Sequence, residues 1–362
     1  MDSLLNILGS DTTSSNGYYS FSATLSGYSP YFLYASKTGY ETDIKTVTGG
    51  GINNFNLYGN VKGFVKDTQD NTISGATVRV YHNSVLLGST TSQGNGYYYI
   101  QIENTPTNLT ATRDPYRDSF KLISTCGTHN IIMGTRYAII VGISDYFFGS
   151  DLQYCDEDAT DWYNLLDDLG YNYEVYGDKH EENYPQYDGK ATESNVRSAI
   201  QSLATTTGSG DCVCFTFAGH GGTSFGQQYL KMYYGGKYKE TEIEDDFEEF
   251  ETGVDLFFFF DSCNSGGIID SLDDMPNEDY IYVATTCTAD GLGYDYHAKS
   301  NGRWTYFFLE YSWINQHGGL ETVSMETIFT DGYDEYLRIF PDLADEDKPQ
   351  EHDGDGSLSF YL

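Results

Sequence analysis

The stretch DLFFFFDSCNSGGIID, Asp255 to Asp270, decides how the chain is read. Four consecutive phenylalanines show no polar alternation, the mark of a strand covered on both faces. The run then breaks into an acid, a thiol and two glycines at Asp261, Cys263, Gly266 and Gly267. Other continuously apolar segments surround it: RYAIIVGIS (136–144), YEVYGD (173–178), CVCFTFAGHGG (212–222) and YIYVATTC (280–287). Helical periodicity separates them. In 155–171, Ala159, Trp162, Leu165, Leu166 and Leu169 share one face and Gly170 stops the run. A second helix is predicted in 191–211, with Thr192 or Ser194 near its cap, and a third in 302–316. Apolar strands alternating with helices predict an α/β domain over residues 135–362, a mostly parallel sheet flanked by helices.

Ligands of such sheets gather beyond the carboxyl ends of the strands. Two successive strand-like segments end in reactive residues, FTFAGHGG in His220 and FFFFDSC in Cys263. If these strands are parallel neighbours, imidazole and thiol emerge on one rim. The imidazole can then raise the thiolate fraction and later protonate a leaving amine. Glycines follow each residue and permit close backbone approach, so the N–H groups of Gly221 and Cys263 are oxyanion-hole candidates. A lone Cys or His at a strand end is more often a core residue; the two together point to nucleophilic catalysis.

At these residues the chain resembles the caspase superfamily of cysteine peptidases, and metacaspases with their prokaryotic relatives most of all. The resemblance runs from about Arg136 to the C-terminus. It implies a caspase-like sheet, peptide-bond hydrolysis and a His220–Cys263 dyad. Metacaspases open their first helix with Cys-x-x-Asp-Ala, matched here by Cys155-Asp156-Glu157-Asp158-Ala159. The resemblance therefore implies a substrate pocket of Cys155, Asp158 and Asp261, and cleavage after Arg or Lys. Two residues depart from the pattern: Ala218 stands where Ser is common, and Asn264 where His is usual. The chemistry requires no cofactor. The resemblance admits calcium as an activator, with Asp270 as its candidate ligand and the Asp245/Asp246 pair as contributors. The segment 229–253 between the two motifs is long and sometimes self-cleaved in the family, but 240–250 reads as an amphipathic helix with an acidic face. A caspase-like scaffold or surface binding protein with vestigial catalysis is the alternative. Loss of His or Cys would favour it, and both are present.

The first third has another grammar. GSDTTSSNGYYSFSA (9–23) matches GSTTSQGNGYYYIQI (88–102), Ala35…Gly39-Tyr40 matches Ala111…Pro115-Tyr116, and INNFNL (52–57) matches HNIIM (129–133). Both copies alternate apolar and polar residues over short runs, as half-buried antiparallel strands do. The second copy opens with VKGFVKDTQDNTISGATVRVYHN (61–83), read as two strands flanking a turn, an opening hairpin that the first copy lacks. The pattern resembles carboxypeptidase-regulatory, transthyretin-like β-sandwiches, an all-β Ig/transthyretin-like architecture that implies spacing or binding rather than chemistry. Expected domains are a partial repeat at 1–58, a β-sandwich at 59–134 and the peptidase domain at 135–362. The incomplete first copy makes Met1 an expected internal start or fragment boundary.

Charge narrows the partners. Of a net −35, the first 134 residues hold 9 acids and 8 bases, and the remainder 45 acids and 11 bases. Such a field disfavours nucleic acid and anionic membrane and favours basic peptides or divalent cations. Six cysteines form no CxxC pair, and Cys212 and Cys214 read as core residues on one strand face. TTTGSGD lacks the P-loop lysine, and no HExxH occurs. No signal peptide or membrane span is visible, and cell surface and cytoplasm both stay open.

Overall fold

Cys212–Ala218 and Asp255–Asp261 lie side by side in the middle of a seven-stranded sheet. The computed structural model describes residues 7–14, 18–23, 31–38, 40–48, 51–356 and 359–362. Within the C-terminal part, the strands of this sheet are β1 (Arg136–Gly142), β2 (Asn172–Gly177), β3 (Gly189–Lys190), β4 (Cys212–Ala218), β8 (Asp255–Asp261), β9 (Ile281–Thr285) and β12 (Gln350–Asp353). Their spatial order is β3-β2-β1-β4-β8-β9-β12. Every pairing is parallel except that of β9 with β12. The short strands β5 (Gly221–Ser224), β6 (Gln227–Lys231) and β7 (Lys237–Lys239) form an antiparallel meander, and β10 (Asp295–Tyr296) pairs with β11 (Asn301–Gly302).

Burial explains the phenylalanine run. Leu256, Phe258 and Phe260 pack on one face, against α2 (Glu193–Thr206) and α3 (Glu240–Phe247). Phe257 and Phe259 pack on the other, against α1 (Cys155–Asp168), a π-helix at Tyr306–Gln316 and α5 (Met325–Ile339). Successive side chains of a strand point to opposite faces, so two apolar layers require an unbroken apolar strand. The same division places Val213, Phe215 and Phe217 in one layer and Cys212 and Cys214 in the other. Thr192 caps α2 by accepting the Asn195 N–H, and Gly170 follows α1 at φ 76°. The predicted helix of 302–316 is a single turn at Arg303–Thr305 running into the π-helix. A short α4 (Ile269–Asp273) follows the Cys263 motif.

The chain divides into two compact units. The described residues up to Lys66, with Thr72–Arg113 and Asp118–Ile131, form one; Asp67–Asn71, Asp114–Arg117 and the described residues of Ile132–Leu362 form the other. The first is all β. Gly59–Lys66 pairs with Tyr97–Ile102 and with Gly127–Thr128, while Val85–Thr91, Thr77–His82, Asn108–Thr112 and Ser119–Leu122 form a second sheet in that order. The expected opening hairpin at 61–83 is not one: its two strands sit in different sheets, joined locally by a bridge between Lys66 and Thr72. Each strand finds longer partners farther along the chain, and alternation cannot say which.

The duplication has a structural counterpart. The Ser14 N–H donates to the Tyr18 carbonyl, and 79 residues later the Gln93 N–H donates to that of Tyr97. Ala35 lies on a strand paired antiparallel with Asp43–Val47, as Ala111 lies on one paired with Ser119–Leu122. Residues 15–17 and 39 of the first copy and the opening 1–6 lie outside the described residues. No helix among the described residues is long and apolar enough to cross a membrane.

The Phe259 ring lies 4.9 Å from that of Trp162 and 5.2 Å from that of Phe308. Phe259→Ala leaves a cavity in a two-sided core and is expected to cost about 3–5 kcal/mol. Urea unfolding measures it, and a loss below about 1 kcal/mol would contradict this packing.

Candidate active site

The ladder between β4 and β8 is in register from Cys212 opposite Asp255 to Ala218 opposite Asp261. His220 and Cys263 therefore each follow a matched pair by two residues. The Gly219 N–H donates to the Asp261 carbonyl at 3.2 Å, carrying the pairing one step beyond the strands. At Gly221 the two segments touch: a Cβ there would stand 2.0 Å from the Cys263 carbonyl oxygen. Only glycine allows that approach.

Past Cys263 the chain turns sharply. Asn264 adopts the left-handed conformation, φ 60° and ψ 16°, and a 3-10 turn follows at Ser265–Ile268. Asn is among the few side chains that tolerate this region. Its N–H donates to the Gly291 carbonyl at 2.9 Å and its Nδ2 to the Ala289 carbonyl at 2.8 Å. Asn264 thus ties the elbow after the thiol to the loop that follows β9. That loop returns the contact, the Gly293 N–H lying 3.4 Å from Cys263 Sγ. Asp347 anchors the loop, accepting the Leu292 N–H and the Tyr294 hydroxyl at 2.7 Å each. Burial raises the Cys263 thiol above its ordinary pKa, and the charges of Asp261 and Asp347 add to this, while the Gly293 N–H opposes.

His220 is held by the loop after β1. Its N–H donates to the Tyr146 hydroxyl at 2.8 Å, and the two rings lie 5.0 Å apart. Nε2 lies 3.0 Å from the Ser150 carbonyl oxygen. A carbonyl can only accept, so Nε2 carries the proton and the neutral ring keeps its lone pair on Nδ1. Burial lowers the imidazole pKa and Lys231 adds to this, against the Ser150 carbonyl. Both shifts favour the uncharged forms, a thiol and a neutral imidazole.

Asp158 and Asp261 meet around Gly302, and their charges reach the buried Cys155 thiol. A Cβ at Gly302 would lie 2.3 Å from Asp261 Oδ2 and 2.8 Å from Asp158 Oδ2. The Gly302 N–H donates to Asp158 at 2.8 Å, and the Thr305 N–H and hydroxyl donate to Asp261 at 2.9 Å each. Asp158 is 1% exposed and Asp261 8%. Burial, then the charge of Asp261, pushes the Asp158 carboxyl well above the usual carboxylate range; burial also raises Asp261, against the Thr305 donors. Asp295, which no sequence signal singled out, stands across the β10–β11 pair from Gly302 and acts on Cys155, Asp158 and Asp261 alike. No Lys, Arg or His forms an ion pair with any of the three acids among the described residues. The nearby Arg303 is already stacked on Tyr294 and Phe340, its Nε donating to the Asp295 carbonyl.

Asp270 lies elsewhere, in the first turn of α4. Asp246 is already bonded to Arg197, Gln201 and Tyr238. Among the described residues no three His, Cys, Asp or Glu side chains are grouped to hold a metal ion.

Cys263 alone among the six cysteines is not buried. Iodoacetamide should label one thiol per native chain, and Cys263→Ala should abolish the labelling. The rate should climb with pH through a value above that of a free thiol, since burial raises this pKa. A labelling plateau at neutral pH would contradict the uncharged resting pair.

A family model described as "Caspase domain" matches residues 135–331. A solved structure of a structural-genomics protein from Geobacter sulfurreducens is similar at 18% identity and TM-score 0.45, over 60% of this chain and 92% of that one. The Drosophila initiator caspase Dronc is similar at 12% identity and TM-score 0.45, over 62% of this chain and 82% of the caspase. No curated protein matches. The family model spans more than half of the chain and takes in both rim segments, so this chain belongs to the caspase-domain family.

Proposed function

We propose that the C-terminal unit is a metacaspase-type cysteine endopeptidase cutting after Arg or Lys, with Cys263 as nucleophile and His220 as general base and acid. The observation that carries this reading is the buried Asp158–Asp261 pair, which has no Lys, Arg or His ion-paired to it among the described residues and lies where the Cys263 strand ends. A guanidinium or ammonium entering there meets two carboxylates whose hydrogen-bond donors already fix them, with Asp295 adding a third charge. An acidic side chain would meet the opposite field, and Arg303 is not free to receive it.

The reaction follows from the atoms available. Cys263 Sγ passes its proton to His220 Nδ1 and attacks the scissile carbonyl carbon. The oxyanion is held by the N–H groups of Gly221 and Cys263. As the intermediate collapses, the imidazolium gives its proton to the leaving amine and a thioester remains. Water, deprotonated by His220, attacks the thioester and releases the acid and the thiol. No step uses calcium. Residues of the N-terminal unit act as carboxypeptidase-regulatory-like spacing or binding modules.

Arg- and Lys-terminated fluorogenic reporters test the reading, and Cys263→Ala should be inactive. Asp261→Ala removes one of two buried carboxylates, so kcat/KM for an Arg reporter should fall about 100-fold, a cost of 2–5 kcal/mol for a lost buried charge partner. Unchanged Arg selectivity would remove the pocket assignment. Raised carboxyl pKa values also set a pH sign: the cation binds the ionised acids, so KM for basic substrates should fall as pH rises through the carboxyl range. A KM independent of pH would count against it.

A further inference from the structure

The loop that positions His220 exposes a strip of aromatic rings that the chemistry does not use. Phe147, Phe148 and Tyr234 are 58%, 62% and 48% exposed. They touch in sequence: Phe147 lies 4.7 Å from Phe148 and 5.3 Å from Tyr234, ring centre to ring centre. Tyr233 underlies them, 4.8 Å from Tyr234, and its carbonyl accepts the Phe147 N–H at 3.1 Å. The strip is not a loose tip. Tyr146 N–H donates to Asp151, Leu152 N–H to the Ser144 carbonyl, and Tyr233 N–H to the Ala191 carbonyl. Contiguous apolar surface held rigid in water marks a binding face.

Its position names the occupant. Tyr146 and Ser150, which bracket Phe147 and Phe148, both bond His220. The acids gather around Gly302 and its partner Asp295, on the loop whose Gly293 N–H meets the Cys263 thiol. In peptide hydrolysis the acyl half stays on sulfur while the amine half takes its proton from the imidazole. The chain beyond the cut bond therefore leaves along the imidazole side, where the strip lies.

We propose that Phe147, Phe148 and Tyr234 form a subsite for an aromatic or large aliphatic side chain within two residues after the scissile bond. The enzyme would then read a basic residue before the cut and an apolar one after it. This rests on the peptidase reading above. Burying one aromatic side chain favours binding of the chain that carries it, so the preference should be about 10-fold.

The test uses the full chain and two sets of peptides with a fixed Arg before the cut, carrying Phe or Ser at each of the next two positions. Cleavage is followed by mass spectrometry. Wild type should favour one of the Phe peptides about 10-fold in kcat/KM, and Phe147→Ser with Phe148→Ser should reduce that ratio to about 2 or less. Phe147→Leu with Phe148→Leu should keep most of it, which mere loosening of the loop would not. Equal rates for Phe and Ser peptides in wild type, with Cys263→Ala inert, overturn the subsite and leave the peptidase standing. A preference that survives the double Ser variant overturns it too. No cleavage by wild type, or cleavage by Cys263→Ala, removes both readings.

Discussion

The register between β4 and β8 is the constraint on which the rest depends. Ala218 opposite Asp261 sets His220 and Cys263 level with each other at the rim. Slipping the pairing by one residue would turn every side chain of β8 to the wrong face. Phe257 and Phe259 would then leave Trp162 and Phe308 for the layer that holds Phe215 and Phe247. It would also displace the thiol from the imidazole by about 3.3 Å, one strand residue. Two-sided burial therefore stabilises the fold and fixes the site in one stroke. The four phenylalanines specify geometry as much as stability.

Against that apolar mass stands a cost at the rim. Asp158 and Asp261 are buried beside one another with hydrogen bonds but, among the described residues, no cationic side chain paired to them. Their carboxyl pKa values are raised in the folded chain, so the native state holds protons that the unfolded state has released. Stability is fully present below the unfolded carboxyl value and declines as pH rises through the folded ones. A bound cation reverses this, because ionised carboxylates then gain a partner. Buried acids with pKa values shifted in this way are candidates for a ligand site.

Much of this was legible in the sequence, for physical reasons that differ by element. The sheet strands declared themselves because burial on both faces abolishes alternation, and α1 and α2 because their apolar residues recur with the helical period. The 61–83 segment suggests a hairpin because Lys66 and Thr77 are near in sequence, yet Gly59–Lys66 pairs with the distant Tyr97–Ile102, and Thr77–His82 turns into Val85–Thr91 on one side and pairs with Asn108–Thr112 on the other. Asp295 gave no signal, since a two-residue strand has no periodicity and its place opposite Gly302 exists only in the folded chain. The Ser150 carbonyl is invisible in principle: a backbone acceptor has no side-chain signature. Asn264, a departure from the usual histidine, makes sense only once its left-handed conformation and its bond to Ala289 are seen.

The two halves of the site also answer each other. Asp261 ends the strand that carries Cys263, and its negative charge is among the causes that hold the thiol protonated. Under the proposed function, a basic side chain entering beside Asp158 and Asp261 offsets that charge just as the scissile carbonyl arrives. The field opposing thiolate formation then weakens only when a cationic substrate is in place. A neutral resting pair gives little reactivity toward stray electrophiles, and the substrate itself supplies part of the activation. Specificity and nucleophilicity would thus share one carboxylate, which explains why the acid sits two residues from the thiol rather than at a distant pocket wall.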